Sequence, residues 1–248
     1  MKILEIVVET KCSYDTSLYN LLYEYLLLDI NDYQQYLAND STLSFVLSTC
    51  FAKSYLTLYS QTPLEDFQLS IALKLKISLP KENDDDYMSF MNYLKFIDRV
   101  YNYHFNNEFL RKLSKEIYNV VLAPLFQNQI LSSSRRGISQ NAIQYLIFIL
   151  ENISSSKLAQ CIFYFLFNFG DIFYLTQESF NIKQPSYTPT KLTNFLLSQL
   201  SETTSISTII WQLLAQLLSF NLPTFVKLIT HHDLKLNTVK TLLQHRIH

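Results

Sequence analysis

The sequence predicts an all-α fold, and three observations lead to it. The chain has 248 residues but only two glycines, Gly137 and Gly170. Tight β-hairpins and phosphate-binding turns use glycine, because they need positive φ angles or a close backbone approach. Apolar residues recur at the helical spacing i, i+3, i+4, i+7, and alternation with period two is confined to residues 71–77, where a helix end is the better interpretation. Helix pairs joined by short turns indicate one α-solenoid domain of the armadillo or HEAT kind over residues 1–248.

The helices follow from amphipathic periods along the chain. The clearest periodic sets are Leu110, Leu113, Ile117 and Val121, then Ile143, Leu146, Ile147 and Leu150, and finally Ile206, Ile209, Ile210, Leu213, Leu214 and Leu217. The predicted helices cover residues 2–10, 16–30, 33–38, 42–60, 65–77, 86–105, 107–122, a short stretch after Pro124, 139–152, 155–169, 190–201, 205–219, 223–231 and 234–246.

Prolines and polar residues predict where these helices begin and end. Pro63 and Pro80 lie between periodic segments, and Pro124 should end or kink the helix before it, because proline lacks an N–H and clashes with the preceding turn. Pro223 suits a first helical turn. Ser139 precedes a periodic segment and is the expected cap of its helix.

Two loops interrupt the helices. The first is polar, lies near residues 78–86 and ends in Asp84, Asp85 and Asp86, where three acids suit the positive end of a helix dipole. The second runs near residues 170–189, contains Pro185 and Pro189, and is the best candidate for a mobile loop.

Composition excludes several classes of protein. Twenty basic residues balance 21 acidic residues, so no basic excess points to nucleic acid or an anionic membrane. Aromatic residues make up 15% of the chain. We attribute them to an AT-rich coding bias rather than to a surface on which bases stack, because basic residues are not interleaved with them.

Cysteines and apolar runs indicate a reduced cytoplasmic protein without an integral membrane segment. Cys12, Cys50 and Cys161 are too scattered for a disulfide framework, and we interpret Cys50 and Cys161 as small core residues. Acids interrupt the apolar N-terminal run, unlike a signal peptide. The most apolar later run, Leu158–Phe169, is shorter than the roughly 20 residues that span a bilayer.

The sequence predicts no catalytic, cofactor-binding or metal-binding residue. Each polar group that could carry chemistry has a simpler explanation as a solvated loop, a helix terminus or a frayed end: His104, His231, His232, Asp233, His245, His248, Asp84, Asp85, Asp86, Arg135 and Arg136 with Gly137. No H-x-x-x-H, H-E-x-x-H or G-x-S-x-G spacing occurs, and the acidic run lacks the glycine and terminal glutamate of a calcium loop. We therefore expect a non-enzymatic protein that binds other proteins through its surface.

Several short blocks resemble a known family in the same order along the chain. The run Phe90–Phe96 resembles the pattern Phe-Met-Asn-x-Leu-x-Phe of the FTS–Hook-interacting proteins, the FHIP family. The other blocks are Tyr36-Leu37-Ala38 with Ser41, Leu58-Tyr59-Ser60 with Pro63, Tyr118–Pro124, the helix pair Tyr145–Phe167 and the helix pair Leu192–Phe220. Val120 stands where the family usually has glycine, and Ser44-Phe45 where it has Cys-Pro. Family members are much longer, so the chain resembles the middle of their N-terminal region.

The resemblance implies a cytosolic helical scaffold. Proteins of the FHIP family join FTS to a Hook coiled-coil protein, and that complex links early endosomes to dynein on microtubules. The expected partners are therefore FTS and Hook-type proteins, with peripheral association with early endosomes. The alternative is a generic helical-repeat binding module unrelated to vesicle transport, and an enzyme with a cryptic site is the second rival.

Overall fold

The computed structural model describes residues 16–28, 30–39, 42–61, 85–103, 106–131, 136–169, 172–173, 190–200 and 205–230. Within these ranges all regular structure is helical, which confirms the all-α class for the described part of the chain. The elements are α1 (Thr16–Leu26), α2 (Asn31–Asn39), α3 (Leu43–Gln61), α4 (Asp85–Tyr103), α5 (Asn107–Ile117), the π-helix π1 (Tyr118–Gln127), α6 (Asn128–Ile130), α7 (Arg136–Glu151), α8 (Ser156–Phe167), α9 (Lys191–Leu200), α10 (Ser205–Ser219) and α11 (Pro223–Thr230). The helices predicted at 2–10, 65–77 and 234–246 lie outside the described residues, as do Pro63 and Pro80.

The helix α1 ends four residues before the predicted boundary. The side-chain amide of Gln34 donates hydrogen bonds to the carbonyl oxygens of Leu26, at 3.2 Å, and Leu28, at 2.7 Å. These are carbonyls that a helix end leaves without an intrahelical partner. The chain therefore turns after Leu26 while the carbonyl groups of Leu26 and Leu28 keep a hydrogen-bond partner. The next helix, α2, begins at Asn31.

Pro124 does not end its helix, contrary to the first of the two predicted outcomes. The chain continues from α5 through π1 into α6 without a break, and Pro124 lies inside π1 on the solvent side. The wider π turn shifts the hydrogen-bond register, which removes the demand for the N–H that proline lacks. The Asn128 side-chain amide donates to the Pro124 carbonyl at 3.0 Å, so this oxygen also has a partner.

The predicted start of α7 also needs correction. The helix begins at Arg136, so Arg136 and Gly137 belong to a helix and not to a basic turn, and Ser139 does not cap it. The Ser139 hydroxyl instead lies within hydrogen-bonding distance of the carbonyl oxygens of Ile130, at 2.8 Å, and Gln129, at 3.3 Å. It therefore serves the C-terminal end of α6 rather than the N-terminal end of its own helix.

Most residues of the two predicted loops lie outside the described residues, so both loops stay predictions. Asp85 and Asp86 form the first residues of α4, as their fit to the helix dipole suggested, so the first loop ends before them. Within the second loop Phe173 is fully buried, and the Lys157 ammonium lies 5.6 Å from its ring centroid. Phe173 therefore packs against the core. Pro223 begins α11, which confirms the prediction for a first helical turn.

One hydrophobic core connects the helices. The helix α3 packs against α4, α5 and π1; α7 packs against α10; α8 contacts α4, π1 and α9; α1 packs on α4 and α2 on α5. Every residue from Asn141 to Leu150 in α7 is buried, so this helix is enclosed on all sides. All residues of the three periodic sets are buried, which confirms the predicted apolar faces.

Candidate protein-interaction surface

Cys161 lies in a buried polar cluster between three helices. Its thiol donates to the Ser114 carbonyl oxygen, with Sγ 3.5 Å away, and burial raises the pKa of the thiol far above its usual range. The Ser114 hydroxyl donates to the Leu110 carbonyl at 3.0 Å, so the Tyr101 hydroxyl, 2.8 Å away, donates to Ser114. A protonated, fully enclosed thiol is not a nucleophile at neutral pH. The prediction that Cys50 and Cys161 are core residues is confirmed, since both are buried.

Asp98 holds the connection between α7 and α8. One carboxylate oxygen accepts the backbone N–H groups of Ser154, at 2.9 Å, and Ser155, at 2.8 Å. The other accepts the Ser154 hydroxyl at 2.8 Å and the Asn102 side-chain amide at 3.2 Å. Ser155 is in turn the N-cap of α8. The best-connected carboxylate in the described residues therefore positions a helix start instead of facing an open cavity.

The structure does not describe most of the polar residues weighed as possible site residues. All five histidines, together with Cys12, Asp84 and Arg135, lie outside the described residues. Among the residues that the structure describes, no three His, Cys, Asp or Glu side chains gather closely enough to hold a metal ion. The absence of catalytic and metal sites stays a prediction.

Two buried amides of α7 were not predicted from the sequence. Asn141 Oδ1 and Gln144 Oε1 are enclosed without a hydrogen-bond partner among the described residues. They lie three residues apart, on the same side of a helix that is buried all round. A polar residue within an apolar helical period was the sequence signal for these two amides. Such a residue is unusual, because a buried unpaired amide oxygen costs about 1–3 kcal/mol.

Exposed apolar side chains concentrate on the first two helices. Leu21, Tyr25 and Leu28 follow the spacing i, i+4, i+7 and form a stripe along the outer side of α1 and its end. Ile30 and Tyr36 continue this exposed surface through the turn into α2. These five account for half of the ten exposed large hydrophobic side chains in the described part of the chain. We call them the α1–α2 face.

Tyrosines hold the α1–α2 face together. The rings of Tyr25 and Tyr33 meet edge to face, with centroids 6.4 Å apart. Partial burial raises the pKa of Tyr33 above its ordinary 10.0, and the neighbouring phenols of Tyr25 and Tyr36 raise this pKa further. The three phenols therefore lie close together on one surface. The inner side of α1 is fixed separately, since the Arg99 guanidinium lies 4.2 Å from the Tyr23 ring centroid and donates to Asn20 Oδ1 at 2.9 Å.

Comparison with protein families gives a match over most of the chain. Residues 15–237 match the family described as RAI16-like, retinoic acid induced 16-like protein, and this range covers most of the 248 residues. The chain belongs to the RAI16-like family. No curated protein shows a significant match to it.

The block with the clearest family resemblance forms the core of this RAI16-like chain. Within Phe90–Phe96, the side chains of Phe90, Tyr93 and Phe96 are buried at intervals of three residues. Phe51 stacks on Phe90 at 6.0 Å, and Tyr19 lies 5.7 Å from Tyr93 and 5.3 Å from Phe96. The resemblance therefore reports core packing in this block, and it does not identify a contact surface.

Charge distinguishes the α1–α2 face from the rest of this RAI16-like chain. Residues 12–52 contain five acids and no lysine, arginine or histidine, although the whole chain is almost neutral. Glu24 and Asp32 are exposed beside the apolar stripe. The whole-chain balance concealed this local excess, and counting charge by segment would have revealed it. Among the described helices, none has both the length and the apolar character that crossing a membrane requires.

Proposed function

We propose that the chain is a non-catalytic protein-interaction scaffold. The observation that carries the proposal is the α1–α2 face, where five large apolar side chains remain exposed on adjoining elements. Exposed apolar groups that are contiguous on a surface commonly mark protein-binding sites. The buried side chains that could carry out chemistry support the same function. Asp98 and Cys161 instead form hydrogen bonds that hold helices together.

We further propose a solenoid-like arrangement of armadillo or HEAT-like helix pairs. Sequential helices pack as neighbours in α3 with α4, α8 with α9, and α9 with α10. The contact between α7 and α10 adds a non-sequential pairing that stacking of helix pairs produces. Stacked helix pairs build extended surfaces, which suits a scaffold better than a closed pocket does.

For the biological process we propose a role in vesicle transport. The collinear blocks resemble the FHIP family, and the RAI16-like family is related to it. On this basis the chain acts as the FHIP-type subunit that joins FTS and a Hook-type coiled-coil protein, and so connects early endosomes or vesicles to dynein. The corresponding location is the cytoplasm, with peripheral association with early endosomes, and no cofactor is required.

A pull-down with the FTS and Hook homologues of the same organism tests this function. The purified 248-residue chain is immobilised, and each homologue is added alone and then together with the other. Retention of either homologue above a blank resin supports the adaptor function. Recovery of neither homologue would remove it.

The alternative is a helical-repeat binding module outside vesicle transport. One observation favours keeping it: the block with the clearest family resemblance is buried core, so the resemblance does not extend to a known contact surface. Stoichiometric recovery of a different protein from cells, without FTS or Hook, would support this alternative. A deep pocket with convergent Asp, His or Cys side chains would instead favour an enzyme.

A further inference from the structure

The stripe on α1 has the geometry of a helix face that lacks a neighbour. Leu21 and Tyr25 lie one turn apart on α1, the spacing with which helices pack on one another, and Leu28 follows two residues after the helix ends. The opposite side of α1 already packs on α4. The stripe is nevertheless open, with Leu21 52% exposed, and Ile30 at its end is 56% exposed. A second helix laid along α1 would cover these side chains as anchors spaced one helical turn apart.

Charge selects the kind of helix that fits. Residues 12–52 contain five acids and no basic residue, and the two of these acids whose side chains the structure describes, Glu24 and Asp32, are exposed. The nearby basic side chains come from other helices: Arg99 donates to Asn20 on the inner side of α1, and Lys112 donates to the Asn39 carbonyl at the end of α2. Nucleic acid and anionic membranes are repelled by such a surface. A second copy of the chain would bring the same acids against each other, which is unfavourable across an interface. The acidic side chains instead attract a helix that carries lysine or arginine beside its apolar face.

The tyrosines strengthen this match. Tyr25, Tyr33 and Tyr36 present phenol rings at the edge of the stripe, and the Tyr25–Tyr33 contact orients two of them. Tyrosine offers a large contact area with few rotatable bonds, so little conformational entropy is lost when a partner covers it. Tyrosine ring faces also attract lysine and arginine side chains.

We propose that the α1–α2 face binds a basic amphipathic helix of a partner protein. The helix lays its apolar side along Leu21, Tyr25, Leu28 and Ile30, and its lysine and arginine side chains lie toward Glu24, Asp32 and the tyrosine rings. This inference rests on the proposed scaffold function and adds the surface and the class of partner.

Binding of two synthetic peptides to the intact chain tests the proposal. Each peptide is about 18 residues long, which makes about five helical turns, and has leucine at i, i+4 and i+7. One carries lysine and arginine at all other exposed positions, and the matched peptide carries glutamate there. Fluorescence anisotropy of the labelled peptides gives the dissociation constants with the wild type and its variants.

The variants separate the apolar and the charged contributions. Tyr25→Ser combined with Ile30→Ser removes anchors from exposed positions, so folding is retained, and circular dichroism verifies this. Glu24→Gln combined with Asp32→Asn removes the flanking charge. Val226→Ser is the matched control, because Val226 is 58% exposed, similar to Ile30, but lies on α11.

We expect the basic peptide to bind and the acidic peptide not to bind. The Tyr25 and Ile30 double variant should weaken binding at least about tenfold, as loss of interface anchors does. The charge variant should weaken binding and make it less sensitive to salt, and Val226→Ser should leave it unchanged. Failure of the basic peptide to bind, equal binding of the acidic peptide, or equal binding to the double variant would overturn the proposal.

A photo-crosslinking amino acid at Ile30, with Val226 as the control position, identifies the occupant. A crosslink from position 30 to the basic peptide supports the proposal. A crosslink to a second copy of the chain or to its own residues 1–15 overturns the proposal. The proposal is also overturned if the wild type binds anionic lipid vesicles and the double variant does not. If FTS or Hook is retained equally by the double variant and the wild type, the scaffold function stands and this docking surface is wrong.

Discussion

Replacing Asp98 by alanine should destabilise the fold strongly. The variant deprives two backbone N–H groups and one hydroxyl of the 153–155 connection of their acceptor. Ser154 is exposed, so its groups regain hydrogen bonds with water. The N–H of Ser155 is buried, and an orphaned buried donor costs about 1–3 kcal/mol.

The bonds of Asp98 add to that cost because their acceptor is ionised. Hydrogen bonds to charged groups contribute about 1.5–3 kcal/mol each. At the exposed Ser154, new hydrogen bonds to water replace most of this contribution. We expect a loss of about 3 kcal/mol in the free energy of unfolding for Asp98→Ala. Asp98→Asn retains the oxygen that accepts both backbone N–H groups but loses the second acceptor, so the expected loss is about 1 kcal/mol.

Urea denaturation followed by circular dichroism measures these losses, and thermal melting should show a fall of about 6–12 °C for Asp98→Ala. Lys95→Ala is the control, because Lys95 is exposed on the same helix one turn earlier, and it should stay within about 0.5 kcal/mol of the wild type. If Asp98→Ala is as stable as Lys95→Ala, the carboxylate does not hold the connection between α7 and α8.

Three further predictions concern the core. Leu146→Asp and Leu213→Asp should each unfold the chain, because a buried unpaired carboxylate costs several kcal/mol. Leu56→Asp, at an exposed position, should not unfold it. An unchanged melting temperature for both core variants would show that the helix faces are misassigned. Gln144→Met should raise the melting temperature by removing the unpaired oxygen, and a lower value would mean that this oxygen has a partner. Burial raises the pKa of Tyr101 well above 10.0, so above pH 10 the folded state retains a phenol proton that the unfolded state loses. The contribution of the protonated Tyr101 to stability is therefore full below pH 10 and declines as the pH rises further. Tyr101→Phe should cost about 1 kcal/mol near pH 8 and make the decline above pH 10 shallower; an equally steep decline would contradict the assignment.

Periodicity predicted the helical parts of the chain well, because helix faces are set by local spacing. The faces through Leu110, Leu146 and Leu213 are buried as expected. Errors arose where a residue's partner is distant in sequence or where the backbone has a rarer option. Ser139 looked like a cap but is bonded to Ile130, and Pro124 was accommodated by a π-helix instead of a break.

The candidate surface was largely beyond sequence reasoning. Leu21, Tyr25 and Leu28 have the spacing of a buried face, and only the packing of α1 on α4 through its other side reveals that they are exposed. Asp98 carried no recognisable motif, since the backbone N–H groups that it accepts, those of Ser154 and Ser155, lie more than fifty residues away. The acidic character of residues 12–52 was readable from the sequence but was hidden in a nearly neutral total.

The most direct test of a scaffold is quantitative co-purification from the native organism. The tagged wild type is compared with the Tyr25→Ser, Ile30→Ser double variant and with Val226→Ser, and bound proteins are quantified by mass spectrometry. We predict that at least one protein accompanies the wild type and Val226→Ser in stoichiometric amounts and is depleted with the double variant. Recovery of the wild type without any stoichiometric protein would contradict the account.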